Sequence, residues 1–217
     1  MIKKIMFSLM LVPALTHAQY VTVGEPITMD FPELTTQQRN EDRLNREQMK
    51  TKGYIEKNLA YPKKMLGMRS KVKFSASKDK EDTELRKNVN EIRLAFNYAP
   101  KTNNPIGFAP IMLWTNDGWT GIKEFFDAKD IGICSISTVN MKLTHQSVRI
   151  PAEIVKHDIN NKVTTILIEG SNNTGFNYRI EWYDSIYSKE LECANMTYDK
   201  EITNKMITLA KELDKKS

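Results

Sequence analysis

The residues of this chain best equipped for chemistry are two cysteines, two histidines and a pair of tryptophans. Cys134 and Cys193 are the only thiols. They form no C-x-x-C motif, and two thiols about 59 residues apart make a poor metal set. A structural disulfide is the expected use in an oxidising compartment. Closing a loop of that length contributes roughly 4 kcal/mol through chain entropy. His145 and His157 belong to no H-E-x-x-H motif and to no other zinc spacing. His157 adjoins Asp158, but sequence neighbours point to different sides of a strand or helix. Either histidine could act as a hydrolase base only with partners brought from elsewhere; as surface or turn residues they need none. No G-x-S-x-G nucleophile elbow occurs. Gly170 to Gly175 matches G-x-x-x-x-G, yet Phe176 and Asn177 stand where a phosphate loop needs lysine and a hydroxyl. Glu124, Asp127 and Asp130 cluster without the spacing of a calcium loop and read as the polar face and end of a short helix. Asn172-Asn173-Thr174 and Asn195-Met196-Thr197 fit the glycosylation pattern, which matters only on a eukaryotic secretory route. No metal and no cofactor is expected.

The stretch from Ala99 to Gly121 reads as a long ordered loop, punctuated by Pro100, Pro105 and Pro110. Such loops often carry function. It contains Ile111-Met112-Leu113-Trp114, then the turn signal Asn116-Asp117-Gly118, then Trp119. Trp114, Asn116, Asp117 and Trp119 are therefore the candidate binding residues, a stacking platform for a sugar, a peptide or another protein. The competing reading is that both rings close the end of the core, as the average burial of tryptophan favours.

These residues need a scaffold, and the stretch from Ile131 to Cys193 supplies its clearest strands. Phe176, Tyr178, Ile180 and Trp182 alternate with Asn177, Arg179, Glu181 and Tyr183, the period of a half-buried strand. Val163 to Ile168 is β-rich, and Gly170 to Gly175 joins the two as a hairpin loop. Ile131 to Leu143 forms a third run that contains Cys134; Val148 and Ile150 continue it. Cys193 falls after the last expected strand. Ile92, Leu94, Phe96 and Tyr98 alternate as another strand, as do Val72, Phe74 and Ala76. A short strand is expected near Tyr20 to Val23. Thr120 reads as the cap of a short helix that carries Ile122, Phe125 and Phe126 on one face. Thr35 or Thr36 caps a helix over Gln37 to Lys52 that has only Leu44 and Met49 as apolar residues. A helix polar all round is a solvated surface helix or a partner-binding arm. Gly53 ends it, and the apolar segment Tyr54 to Tyr61 should stop at Pro62. Ser77 to Asn90 is charge-rich and reads as a solvated loop or exposed helix. Ile202, Met206, Leu209 and Leu213 form the stripe of an amphipathic helix over Lys200 to Lys215. It packs on the sheet or docks into a partner. The expected fold is α+β: an antiparallel sheet of four to six strands, the C-terminal helix packed on it, and a polar N-terminal helix.

Met1-Ile2-Lys3-Lys4, the apolar run Ile5 to Leu15 and Thr16-His17-Ala18 have the layout of a signal peptide. The run is too short to span a bilayer as a helix. Cleavage after Ala18 would leave about 199 residues, one domain or one domain with an arm. The expected division is 1–18 leader, 19–62 lead-in and polar arm, and 63–217 α+β domain. Net charge is +5 for the whole chain and about +3 once Lys3 and Lys4 leave. That mild, interspersed charge argues against a nucleic-acid partner. The resulting expectation is a periplasmic or secreted protein without a transmembrane segment, bound to another protein or envelope component. An exported hydrolase that uses His145 or His157, and a glycan or small-ligand binder that uses Trp114 and Trp119, are the alternatives.

Overall fold

The computed structural model describes residues 20–24, 35–68, 88–155 and 159–216. The expected leader, the Val72 to Ala76 strand, most of the charge-rich stretch after it and His157 lie outside these residues.

Among the described residues nine strands and four α-helices follow in chain order: β1 (Val21–Gly24), α1 (Thr36–Thr51), β2 (Ile55–Glu56), α2 (Tyr61–Gly67), β3 (Pro105–Thr115), β4 (Gly118–Ala128), β5 (Gly132–Asn140), α3 (Met141–Thr144), β6 (Val148–Pro151), β7 (Val163–Ser171), β8 (Gly175–Tyr183), β9 (Tyr187–Asn195) and α4 (Lys200–Lys215). Seven strands form one sheet in the order β2-β7-β8-β9-β5-β4-β3. All its pairs are antiparallel except β2 with β7, so the sheet is mixed and has more strands than expected. β1 and β6 form a separate parallel ribbon.

The β7–β8 hairpin stands where the alternation put it, with the Asn172-Asn173-Thr174 turn between its strands. Several other expectations are corrected. Ala99 to Gly121 is no loop: it holds β3 and the start of β4. Pro105 and Pro110 are tolerated because β3 is an edge strand, where a missing N–H breaks no ladder on the open side. The helix expected after Thr120 is strand β4; Ile122 and Phe126 share one face of it and Phe125 takes the other. Cys193 lies inside β9, a strand hidden in the sequence because Lys189, Glu190 and Glu192 break its apolar pattern. The run from Ile131 ends at Asn140, turns through α3, and Val148–Ile150 leave for the ribbon. In Ile92 to Tyr98 only Arg93 and Asn97 are exposed, Ala95 is half-buried like Leu94 and Phe96, and the segment pairs only at Leu94, which bridges Trp119. Pro62 does not stop a segment; it lies in the first turn of α2, where its lost N–H costs no helical bond.

The main core lies between α4 and one face of the sheet. Trp182, Tyr178, Phe176, Ile180 and Leu191 meet Ile202, Met206, Ala210 and Leu213 there. The Cys134–Cys193 disulfide joins directly opposed positions of β5 and β9 within this core. Helix α4 is capped by Asp199, whose carboxylate accepts from the Glu201 amide. Near its other end Asp214, with a side chain 3% exposed, accepts from Lys162 Nζ (2.7 Å), Lys189 Nζ (3.0 Å), Trp182 Nε1 (2.9 Å) and Asn160 Nδ2 (2.9 Å). Helix α1 runs one residue earlier at each end than the expected Gln37 to Lys52, with Thr35 as cap: the Thr35 hydroxyl accepts from the Gln38 amide, and the Gln38 side-chain oxygen accepts from the Thr35 amide. It buries no residue. Gly53 ends it at φ +83°, where a side chain would also collide with the Tyr198 hydroxyl. The opposite face of the sheet is covered at one end by α2, through Met65 on Ile133 and Ala194. At its other end lies the β1–β6 ribbon, through Ile150 with Met141 and Tyr183.

Glu124 is a correction of a different kind. It is a fully buried carboxylate on β4, not part of a surface helix. Tyr98 Oη (2.8 Å), the Lys101 amide (2.9 Å), the Thr102 amide (2.9 Å) and the Thr102 hydroxyl all donate to it. This set ties the chain from Tyr98 to Thr102 down onto the sheet. Burial, and then the Glu124 charge, push the Tyr98 phenol far above its ordinary value. Glu124→Gln sets an amide N–H₂ against backbone donors. Its expected cost is about 1–3 kcal/mol in urea unfolding, with the native fold retained. An unchanged unfolding midpoint would mean that the latch does not hold.

Candidate binding surface

The β3–β4 hairpin ends in the two-residue turn Asn116-Asp117, between the opposed residues Thr115 and Gly118. Gly118 has φ +132°, and a Cβ there would lie 2.5 Å from the Arg93 carbonyl. Only glycine fits both demands. Just before the turn the ladder slips. Ile111 pairs with Gly121 and Trp114 with Trp119, so Met112 and Leu113 stand against Thr120 alone. Two residues facing one make a β-bulge, which re-aims the side chains of its strand. Met112 takes φ +69°, a strained value for a side-chain-bearing residue. The Thr120 hydroxyl holds the bulge: it accepts from the Leu113 amide (3.1 Å) and donates to the Leu113 carbonyl (3.1 Å).

Arg93 straps the turn from the side. Its Nε donates to the Asp117 carbonyl (3.1 Å) and its Nη2 to the Asn116 carbonyl (2.7 Å). Its guanidinium also lies over the Trp114 ring, 6.0 Å from the centroid. The Arg93 carbonyl in turn accepts from the Trp119 amide (2.9 Å), and the Ala95 amide donates to the Trp119 carbonyl (2.9 Å). Trp114 and Trp119 meet edge to face at 5.6 Å and 74°.

The two rings divide the roles set out above. Trp119 is half-buried and packs against the Ile92, Phe108 and Ile122 cluster, closing the core. Trp114 is 55% exposed, Leu113 54% and Met112 39%. Among the described residues these are the only exposed large apolar side chains that follow one another in sequence. Asn116 and Asp117 are exposed as well. All four expected residues therefore sit together at one tip. Arg93, Met112, Leu113 and Thr120 complete it; none of them was among the expected binding residues, and Thr120 was read as a helix cap. The double apolar residue before Trp114 was the available signal for Met112 and Leu113; nothing local marks Arg93, which arrives from more than twenty residues away.

His145 is the exposed left-handed cap that ends α3, with φ +53°. Its position follows from the turn it makes. Among the described residues no group of three or more His, Cys, Asp and Glu side chains is arranged to hold a metal ion. No described helix is long and apolar enough to cross a membrane. Comparison of the chain with protein-family profiles, curated proteins and solved structures finds no match.

Proposed function

We propose that this is an exported, non-enzymatic binding protein that grips another protein with the tip of its β3–β4 hairpin. The observation that carries the reading is the exposed Met112-Leu113-Trp114 triplet on a turn that Arg93, Thr120 and Trp119 keep in one conformation. An isolated exposed leucine is ordinary, whereas a contiguous apolar group marks a contact surface. Trp, Met and Arg are the residue types enriched in protein–protein contacts. A preorganised turn also loses little conformational entropy on binding. Export is supported by the leader-like N-terminus and by the disulfide.

The test is a photo-cross-linking amino acid at position 113, with position 205 on the exposed side of α4 as control. The expected result is one discrete adduct from position 113 and none from position 205. Adding Trp114→Asp should reduce the adduct at least tenfold without changing the circular dichroism spectrum. Identical adducts from both positions, or an adduct indifferent to Trp114→Asp, would refute the reading. Saturable quenching of tryptophan fluorescence by oligosaccharides, without a protein adduct, would instead make the tip a glycan platform.

A further inference from the structure

The sheet face away from α4 carries a polar patch between its two apolar ends. Across the strands Lys123, Ser137, Glu190 and Glu181 stand opposite one another in one row. Ser135, Glu192 and Arg179 form the next. Glu192 is well supplied with donors: Lys123 Nζ at 2.8 Å, Asn177 Nδ2 at 3.3 Å and Tyr61 Oη at 3.5 Å. Burial would raise its carboxyl, but Lys123 together with Asn177 and Arg179 outweighs that and holds it below the ordinary value. Glu181 accepts from Tyr183 Oη at 2.8 Å.

Glu190 differs. Lys123 and Arg179 approach it only to 3.7 and 3.9 Å, and no described residue donates a hydrogen bond to it. Burial first, and then the Glu192 charge, push its carboxyl above the ordinary value. Directly opposite it stands Glu181, a like-charged cross-strand pair that destabilises a sheet. Beside it, Ser137 is 5% exposed and its Oγ has no hydrogen-bond partner. A buried hydroxyl without a partner is uncommon in a native fold. Counting Glu169, 4.0 Å from Arg179, and Lys57, which pairs with Glu169, the patch has four carboxylates against three cations, and its spare capacity is for accepting hydrogen bonds.

We infer that this patch binds a primary ammonium group, held by the Glu190 and Glu181 carboxylates and the Ser137 hydroxyl. An ammonium offers three N–H donors and one positive charge, which matches three acceptors and the excess of one carboxylate. The group can come from a small free amine or from a lysine side chain of a peptide. The site is separate from the hairpin tip, so each stands or falls alone.

The test is a titration of the isotope-labelled full chain with n-butylammonium, followed by the amide signals of Ser137, Glu181 and Glu190. These signals should shift saturably. Tetramethylammonium, which has the charge but no N–H, should give no saturable shift. Glu190→Gln should weaken binding at least tenfold. Ser137→Ala, which removes an unpartnered hydroxyl and should leave the unfolding midpoint unchanged, should also weaken it. A lysine-bearing pentapeptide that binds at least tenfold tighter than butylammonium identifies a peptide as the source; equal affinity identifies a small amine. Absence of a saturable shift, an equal response to tetramethylammonium, a response to calcium alone, or full binding by both variants would overturn the assignment.

Discussion

Replacing Cys134 and Cys193 together by alanine is expected to lower the free energy of unfolding by about 4 kcal/mol. The bridge closes a loop of 59 residues, and the unfolded chain regains the corresponding entropy when it is gone. A typical domain has about 5–15 kcal/mol in total, so the loss takes a large share of the stability. Both cysteines are fully buried in the core cluster that also holds Leu191, Tyr178 and Met206, so the alanines also leave unfilled volume. The measurement is a urea titration of both proteins at one pH, with the slopes compared as well as the midpoints. A midpoint shift worth under about 1 kcal/mol would show that native packing alone holds β5 against β9. Mass analysis of the folded protein after alkylation without reductant should find no labelled thiol.

Asp214→Ala is the second large effect, at about 3–5 kcal/mol. The substitution leaves the Lys189 ammonium, 4% exposed, without its closest counter-charge, and leaves Trp182 Nε1 without an acceptor at the base of the core. Asp184 stays 3.6 Å from Lys189 and 3.8 Å from Lys162 and offsets part of the loss. Asp214→Asn should cost less, because an amide oxygen still accepts from the indole. The pH dependence has a definite sign. Burial alone would raise the Asp214 carboxyl, but the bonds from Lys162, Asn160, Trp182 and Lys189 outweigh it and hold it well below the carboxylate range. The unfolded aspartate titrates near about 4. A depressed folded value therefore adds stability that is fully present above that pH and is lost as pH falls below it. Urea midpoints between pH 7 and pH 2.5 should fall more steeply for the native sequence than for Asp214→Asn. Parallel curves would remove the carboxylate from the account.

Elements with one clean period were legible in the sequence: α4 by its four-three-four stripe, the β7–β8 hairpin by alternation and turn residues, α1 by its cap and its closing glycine. The disulfide was legible from compartment and elimination. What was hidden has physical causes. β4 is buried on both faces, so Ile122, Phe125 and Phe126 carry no period of two and mimic a helical face. β9 buries Lys189 against Asp214 and Glu192 against Lys123, and charges that are paired only through tertiary contacts look like solvated ones in sequence. Glu124 was hidden for the same reason: its donors sit on a chain segment more than twenty residues away. The Trp114 tip was half legible. The turn and the aromatic pair could be read locally; the bulge that exposes Leu113 and the Arg93 strap could not.

The strand order has a further consequence. β9 is the last strand in the chain, yet it is the middle of the seven, bonded to β8 on one side and β5 on the other. The β3–β5 meander and the β7–β8 hairpin have no hydrogen-bonded strand contact with each other except through it. In a chain that emerges from its N-terminus, neither the β3–β5 meander nor the β7–β8 hairpin can close its inner edge until residue 195 is clear. Both edges are templates for wrong pairing during that interval. Completing the sheet and setting the two sulfurs side by side both wait on this final strand, because Cys193 lies on β9 opposite Cys134 on β5.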